Sequence, residues 1–282
     1  MINKYIIVFC EGDHDIAFLS KILFVHGFTS YGKRVNEFDK PLNNLYIKNL
    51  SQKKIGDMEF KFQRPKRKVP YIVLIKNDIL VIFHNFDGDG NFTKDGAKSI
   101  IKMYIDLNKE NRRKIDKYEK LNYRFLYFLD SDDKGVDNRL SELQKSIEID
   151  TFNSHVVYKY KDYEIGAYIF YDETNSDKYG KLEDILLNLM KKSNEKVFAN
   201  STEYINKNIL ETKRQKKFIY IQDREEYIGR VEFKKSKSII SSAGQLQFSG
   251  SSNAVIIANS DYIKKDDILN SQVCQDIIKL FK

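Results

Sequence analysis

The sequence predicts an α/β fold: a mostly parallel sheet flanked by helices. Three observations carry that reading. The runs at 5–10 and 124–129 are short, unbroken and rich in β-branched and aromatic residues, as strands buried on both faces are. Each is followed by a segment whose apolar residues recur at helical spacing. Strands and helices then alternate along the first half of the chain, an order that right-handed crossovers close into a parallel sheet.

The elements follow in order. A strand over 5–10 is broken by Glu11-Gly12-Asp13, and Asp13 or Asp15 can cap a helix carrying Ile16, Leu19, Ile22 and Leu23 to about Gly27. Residues 30–70 are dense in charge and read as an insertion. There Met58, Phe60 and Phe62 alternate with polar residues as in an exposed strand, and Arg64-Pro65-Lys66-Arg67-Lys68 forms a basic turn. This basic β-hairpin-like insertion is either plain decoration or a phosphate-gripping arm. Strands over 71–75 and 79–83 flank a Lys76-Asn77-Asp78 turn. A Gly-containing loop, 87–91, leads to a helix with Ala97, Ile100, Ile101, Tyr104 and Leu107 on one face. That loop is no EF-hand, because Phe92 and Lys98 stand where Gly and Glu are required. Further strands are expected over 124–129, 155–160 and 164–170, and helices over 136–145 and 181–190. Beyond residue 195 the chain reads as mainly helical, with helices over 202–217, 235–243 and 267–281 and a short strand over 255–258. The domain division is therefore 1–195 for the core and 196–282 for a helical C-terminal extension packed on it.

Composition narrows the function classes. The chain has 282 residues, 41% of them hydrophobic and 31% charged, and no apolar run approaches the length of a bilayer span. The first residues lack the pattern of a signal peptide, so a cytoplasmic protein is expected. Two distant cysteines, Cys10 and Cys274, cannot form a zinc site or a disulfide framework. No Walker A pattern occurs, which argues against ATP hydrolysis by this chain. The net charge of +8 favours contact with a polyanion, since Lys and Arg release counterions from phosphate.

The chemistry concentrates at strand ends. In an open parallel sheet, ligands bind beyond the carboxyl ends of the strands. Glu11 directly follows the first strand, and Asp130 and Asp132 end a later one, so their side chains can converge. Clustered carboxylates repel one another unless a cation neutralises them, and hard oxygen ligands suit Mg²⁺ or Mn²⁺. Each residue also has a plainer explanation. Capping accounts for Asp13 or Asp15, a helix N-terminus favours an acid at Glu11, and Asp and Ser are common in turns such as 130–133. His14 lies beside the acids, but a lone histidine is more often a surface or capping residue.

These residues resemble a known family. Glu11-Gly12-x-x-Asp15, closing a strand and opening a helix, resembles the first TOPRIM motif, and Asp130-x-Asp132 resembles the second. Leu182-Glu183-Asp184 is similar to the "LED" segment of stand-alone TOPRIM proteins and of the overcoming-lysogenisation-defect (OLD) nucleases. Lys235-x-Lys237 followed by Gly244-Gln245 is similar to their lysine-bearing helix. The resemblance touches most of the chain but leaves 30–70 unaccounted for.

The resemblance implies a TOPRIM, Rossmann-like core and a metal-dependent nuclease of the OLD-like branch using two Mg²⁺ or Mn²⁺ ions. Glu11 is implied as ligand or general base, Asp15, Asp130, Asp132 and Glu183 as further ligands, and Lys237, before Lys235, as the lysine at the scissile phosphate. Gly12, Asp133 and Asp184 support them. Nucleic acid, DNA before RNA, is the implied substrate, and a separate ATPase the implied partner, with phage or plasmid defence or DNA repair as the setting. The alternatives are a non-catalytic TOPRIM module that binds nucleic acid or protein, and another TOPRIM phosphotransfer chemistry of the topoisomerase or primase kind.

Overall fold

Strand β1 (Lys4–Cys10) lies in the middle of a seven-stranded sheet, and everything else is arranged around it. The computed structural model describes residues 2–51, 69–86, 96–111, 120–222 and 224–282. On one side β1 pairs in parallel with β4 (Ile79–Asn85), which forms a hairpin with β3 (Ile72–Lys76), and β3 pairs with the short β2 (Thr29–Ser30). On its other side β1 pairs in parallel with β5 (Tyr123–Asp130). Next to β5 runs β7 (Tyr163–Phe170), also parallel, with β6 (Val157–Tyr160) antiparallel at the edge. The order is β2-β3-β4-β1-β5-β7-β6. The β3–β4 hairpin turns at Asn77, whose φ of 53° is a conformation asparagine tolerates well.

The unbroken apolar runs of β1 and β5 follow from burial on both faces. Ile6, Val8 and Cys10 point into one layer, with Leu126 and Phe128 of β5. Tyr5, Ile7 and Phe9 point into the other, with Tyr123, Phe125, Tyr127 and Leu129. The first layer is closed by α1 (Asp13–Val25), α5 (Leu182–Lys191), α6 (Glu195–Lys207), α7 (Lys235–Gly244), α8 (Asn253–Asn259), α9 (Lys265–Leu269) and α10 (Gln272–Lys279). The second is closed by α2 (Leu42–Ser51), α3 (Ala97–Asn111) and α4 (Val136–Ile147). The helices beyond residue 196 thus share one core with β1, α1 and α5. Both cysteines are free and buried there.

This wiring creates a crevice. The chain leaves the carboxyl end of β1 for α1 on one face of the sheet, and leaves the carboxyl end of β5 for α4 on the other. Adjacent parallel strands whose connections part to opposite faces leave a gap beyond their ends, the usual ligand position in open α/β sheets.

Several elements differ from the sequence expectation. The helix expected over 202–217 ends at Lys207, and a 3-10 turn at Thr212–Gln215 leads into β8 (Lys217–Ile221). β8 pairs with β9 (Arg224–Ile228) as a separate antiparallel hairpin, so the extension is not purely helical. The Lys-rich lead-in, full of good helix formers, hides the β-prone Phe218-Ile219-Tyr220-Ile221 run. The strand expected over 255–258 lies inside α8, because a short apolar run cannot be told from a buried helical turn by periodicity. The helix expected over 267–281 is two helices, parted at Asn270-Ser271, where the Ser271 hydroxyl accepts from the Cys274 N–H. The described part of the expected insertion holds a 3-10 turn at Val35–Glu37 and then α2, whose Leu42 and Tyr46 are buried against the sheet. The readings on Met58, Phe60, Phe62, Arg64, Pro65, Lys66, Arg67, Lys68 and the 87–91 loop lie outside the described residues. Among the described residues, no helix is long and apolar enough to cross a membrane.

Candidate active site

Glu11 and Asp130 sit at the mouth of the crevice, at the ends of neighbouring strands, and a Glu11 carboxylate oxygen accepts from the Asp130 N–H at 3.4 Å. α1 begins immediately after Glu11. Its first turn carries Asp15, buried, whose carboxylate accepts from the Gly12 N–H at 2.9 Å. Gly12 is thus the helix N-cap, and Asp15, not Asp13, closes the cap. From the far side, α5 brings in Glu183, also buried. The Leu182 N–H at the start of α5 donates to an Asp130 carboxylate oxygen at 2.8 Å, tying the two elements together.

Four carboxylates therefore share one electrostatic environment. Burial pushes the Asp130 carboxyl well up, and the charges of Asp15, Glu11 and Glu183 push it further. Asp15 rises to about 8, through burial first and then through Glu11 and Glu183, although the Gly12 N–H opposes the rise. Glu11 is raised by burial against the lowering charge of Arg139. Glu183 alone goes the other way. Burial pushes it up, but the His14 hydrogen bond and the Lys237 charge together hold it below the usual range. His14 Nδ1 lies 2.8 Å and Lys237 Nζ 3.3 Å from the same Glu183 oxygen.

Asp132 stands to one side. Its backbone is left-handed, with φ of 50°, because the loop is pinned from both directions. The Asp132 N–H donates to the Gly180 carbonyl and the Gly180 N–H to the Asp132 carbonyl, at 2.8 and 3.0 Å. Gly180, with φ of 137°, is needed there: a Cβ would come within 2.4 Å of the Asp172 backbone nitrogen. The Asp132 carboxylate is held by Lys181 and, at 3.0 Å, by Arg139. Arg139, on the first turn of α4, also reaches Glu11 at 3.4 Å and donates through Nε to the Asp130 carbonyl at 2.8 Å.

The expected residues therefore separate into groups. Glu11, Asp15, Asp130 and Glu183 converge, Lys237 joins them through Glu183, and Asp132 meets them through Arg139. Asp184 serves the backbone, accepting from the Lys181 N–H at 2.9 Å as the cap of α5. Asp133 is exposed. Lys235 is exposed too, and no ion pair joins it to the carboxylates among the described residues. Sequence reasoning sets His14 aside and does not single out Arg139 or Lys181. In a chain with 48 Lys and Arg, no spacing distinguishes those two cations.

The donor set suits a hard divalent cation: burial and then neighbouring carboxylates raise Asp15 and Asp130, and no Lys or Arg side chain is bonded to their carboxylates among the described residues. Among the described residues, no three His, Cys, Asp or Glu side chains stand as a ready ligand cage. The cations on Glu183 and Asp132 hold those two carboxylates in protein ion pairs.

Comparison with known proteins adds little. No protein-family profile and no curated protein matches the chain. One solved structure, a hypothetical protein from Pyrococcus horikoshii OT3, aligns over 99% of this chain and 94% of its own at 15% identity and a TM-score of 0.48. The structure establishes a mixed α/β fold, a mostly parallel seven-stranded sheet flanked by helices, with an acidic cluster where β1 and β5 end.

Proposed function

We propose that this chain is a divalent-metal-dependent nuclease, of the stand-alone OLD-like TOPRIM kind, that hydrolyses phosphodiester bonds in nucleic acid. The observation that carries the proposal is the convergence of Glu11, Asp15, Asp130 and Glu183 in the β1/β5 crevice, with Lys237 beside them. A cluster of like charges with Asp15 and Glu183 buried and Glu11 and Asp130 half-buried is costly to keep unless it is used, and perturbed carboxylates in a cleft are a recurrent mark of function.

In this reading Glu11, Asp15, Asp130, Asp132 and Glu183 hold two Mg²⁺ or Mn²⁺ ions, which supply Lewis acidity at the phosphate. Glu11, kept more basic by burial, takes the proton of the attacking water. Arg139 fixes the Glu11 carboxylate and the Asp132 loop relative to each other. His14 orients Glu183, and Lys237 offers its charge to the phosphate as negative charge builds there. DNA before RNA as substrate, a separate ATPase as partner, and work in defence or repair enter through the family resemblance.

A second reading, a TOPRIM-like module that binds without cutting, is favoured by one observation: Asp132 and Glu183 are already occupied by protein cations. Cleavage of supercoiled plasmid and of single-stranded RNA with Mg²⁺ or Mn²⁺ separates the two. The nuclease reading expects cutting that disappears in Glu11→Ala and in Asp130→Asn. Cutting that survives both substitutions refutes this site, and binding without cutting selects the second reading.

A further inference from the structure

The β8–β9 hairpin has no place in the chemistry above, yet its composition is unusual for a surface decoration. It forms its own two-stranded sheet, apart from the main one. An isolated two-stranded hairpin is marginally stable in water. Its register sets Phe218 opposite Tyr227, and Tyr220 is two residues from Phe218 on the same face. The three rings form an open cluster, with Phe218 5.2 Å from Tyr220 and 5.1 Å from Tyr227 between centroids. Tyr220 is 74% and Phe218 44% exposed, whereas the aromatic rings of the main sheet are largely core.

Charge accompanies the rings. The surplus lies in the flanks: residues 207–216 and 229–237 contain eight Lys and Arg against two Glu, whereas 217–228 carries two Lys and Arg against three Asp and Glu, with Glu225 opposite Tyr220 in the register. Lys213 Nζ lies 5.8 Å over the Tyr227 ring, Lys216 precedes β8, and Lys217 opens it on the face opposite Phe218 and Tyr220. The hairpin is clasped at its base by a hydrogen bond from the Glu232 N–H to the Gln215 carbonyl at 2.9 Å. The chain then enters α7, which puts Lys237 on Glu183. Six residues lie between the end of β9 and Lys235, which bounds their distance at about 25 Å, the run of about seven nucleotides.

We propose that the β8–β9 hairpin is a single-strand-binding arm, on which unpaired bases stack against Phe218, Tyr220 and Tyr227 while neighbouring lysines hold the phosphates. The proposal rests on the nucleic-acid reading of the carboxylate site. It goes further in naming the substrate class, because only an unpaired strand presents base faces to such a platform. Exposed aromatic rings flanked by basic segments are what sequence-tolerant single-strand binders use, and the positive charge of those flanks complements a polyanion.

The test is fluorescence anisotropy with labelled oligothymidine, oligouridine and a duplex, in EDTA so that no cutting intervenes. Thermal unfolding of each variant checks its fold. Wild type is expected to prefer single strands to duplex. Tyr220→Ala, which removes only an exposed ring, and Phe218→Ala are each expected to weaken single-strand binding by about fivefold or more. Lys216→Ala with Lys217→Ala is expected to flatten the dependence on salt, by about 0.7 in the logarithmic slope for each phosphate that is no longer neutralised. The two oligonucleotides report which sugar is preferred.

Variants that bind as wild type, or equal affinity for duplex with no effect of the rings, overturn the arm. No binding by wild type also overturns it. The two proposals fail separately. Hairpin variants that bind normally while Glu11→Ala abolishes cutting refute only the arm. Ring-dependent binding without metal-dependent cutting refutes only the nuclease.

Discussion

Replacing Asp15 with Asn should stabilise the metal-free protein, the reverse of what most buried substitutions do. Asp15 is buried, accepts a hydrogen bond from the Gly12 N–H and faces Glu11 and Glu183. Asn keeps an oxygen for Gly12 and removes the charge. The carboxyl lies at about 8 in the fold against 3.8 ordinarily, so the folded protein holds a proton that the unfolded chain releases between those values. Stability therefore falls as pH rises through that window. At about 1.4 kcal/mol per pH unit, the upper limit near pH 7.5 is ~5 kcal/mol. The repulsion is shared among coupled carboxylates, so ~2–3 kcal/mol is assigned to Asp15. In a chain of this size that raises Tm by ~5 °C. Thermal unfolding in EDTA across pH 5–8 reads it. The gain should be largest at pH 8 and shrink toward pH 5, and added Mn²⁺ should stabilise wild type more than the variant. A variant less stable than wild type at pH 8, or one with an unchanged pH slope, refutes the reasoning.

Four more outcomes are expected from the same geometry. Gly180→Ala forces a side chain onto the Asp172 backbone at φ 137° and should cost on the order of 2–4 kcal/mol in urea unfolding. Arg139→Ala takes the nearest cation from Glu11, so the Glu11 carboxyl rises further and the rising limb of the pH–rate profile moves to higher pH; Arg139→Lys should restore part of the shift. Lys237→Ala should slow cleavage by about 10²-fold or more, as loss of a charge-stabilising group does. Lys235→Ala should leave the rate within about threefold, since its exposed side chain lies outside the ion pairs that reach the carboxylates.

The sheet and the strand-end acids are legible in the sequence because strong physics marks them. Apolar runs that stop at Glu11 and at Asp130 fit strands buried on both faces and little else, and the convergence of their ends follows from parallel topology alone. The place of Asp132 is less legible, since its ion pairs come from Lys181 and Arg139, residues whose types are abundant here. His14 carries no local signal because its partner lies 169 residues away. The C-terminal elements defeat sequence reading where local signals conflict: α8 is a short apolar run, and β8 follows helix-favouring lysines. Asp184 matches a motif but is occupied in capping a helix.

The central claim is that the crevice carboxylates hold a divalent ion, and Mn²⁺ binding followed by electron paramagnetic resonance tests it most directly. Wild type should bind Mn²⁺ stoichiometrically. Asp130→Asn should lose that binding, while Asp133→Asn, changed only at an exposed position, should retain it. No Mn²⁺ binding by folded wild type, or binding that survives Asp130→Asn unchanged, contradicts the claim.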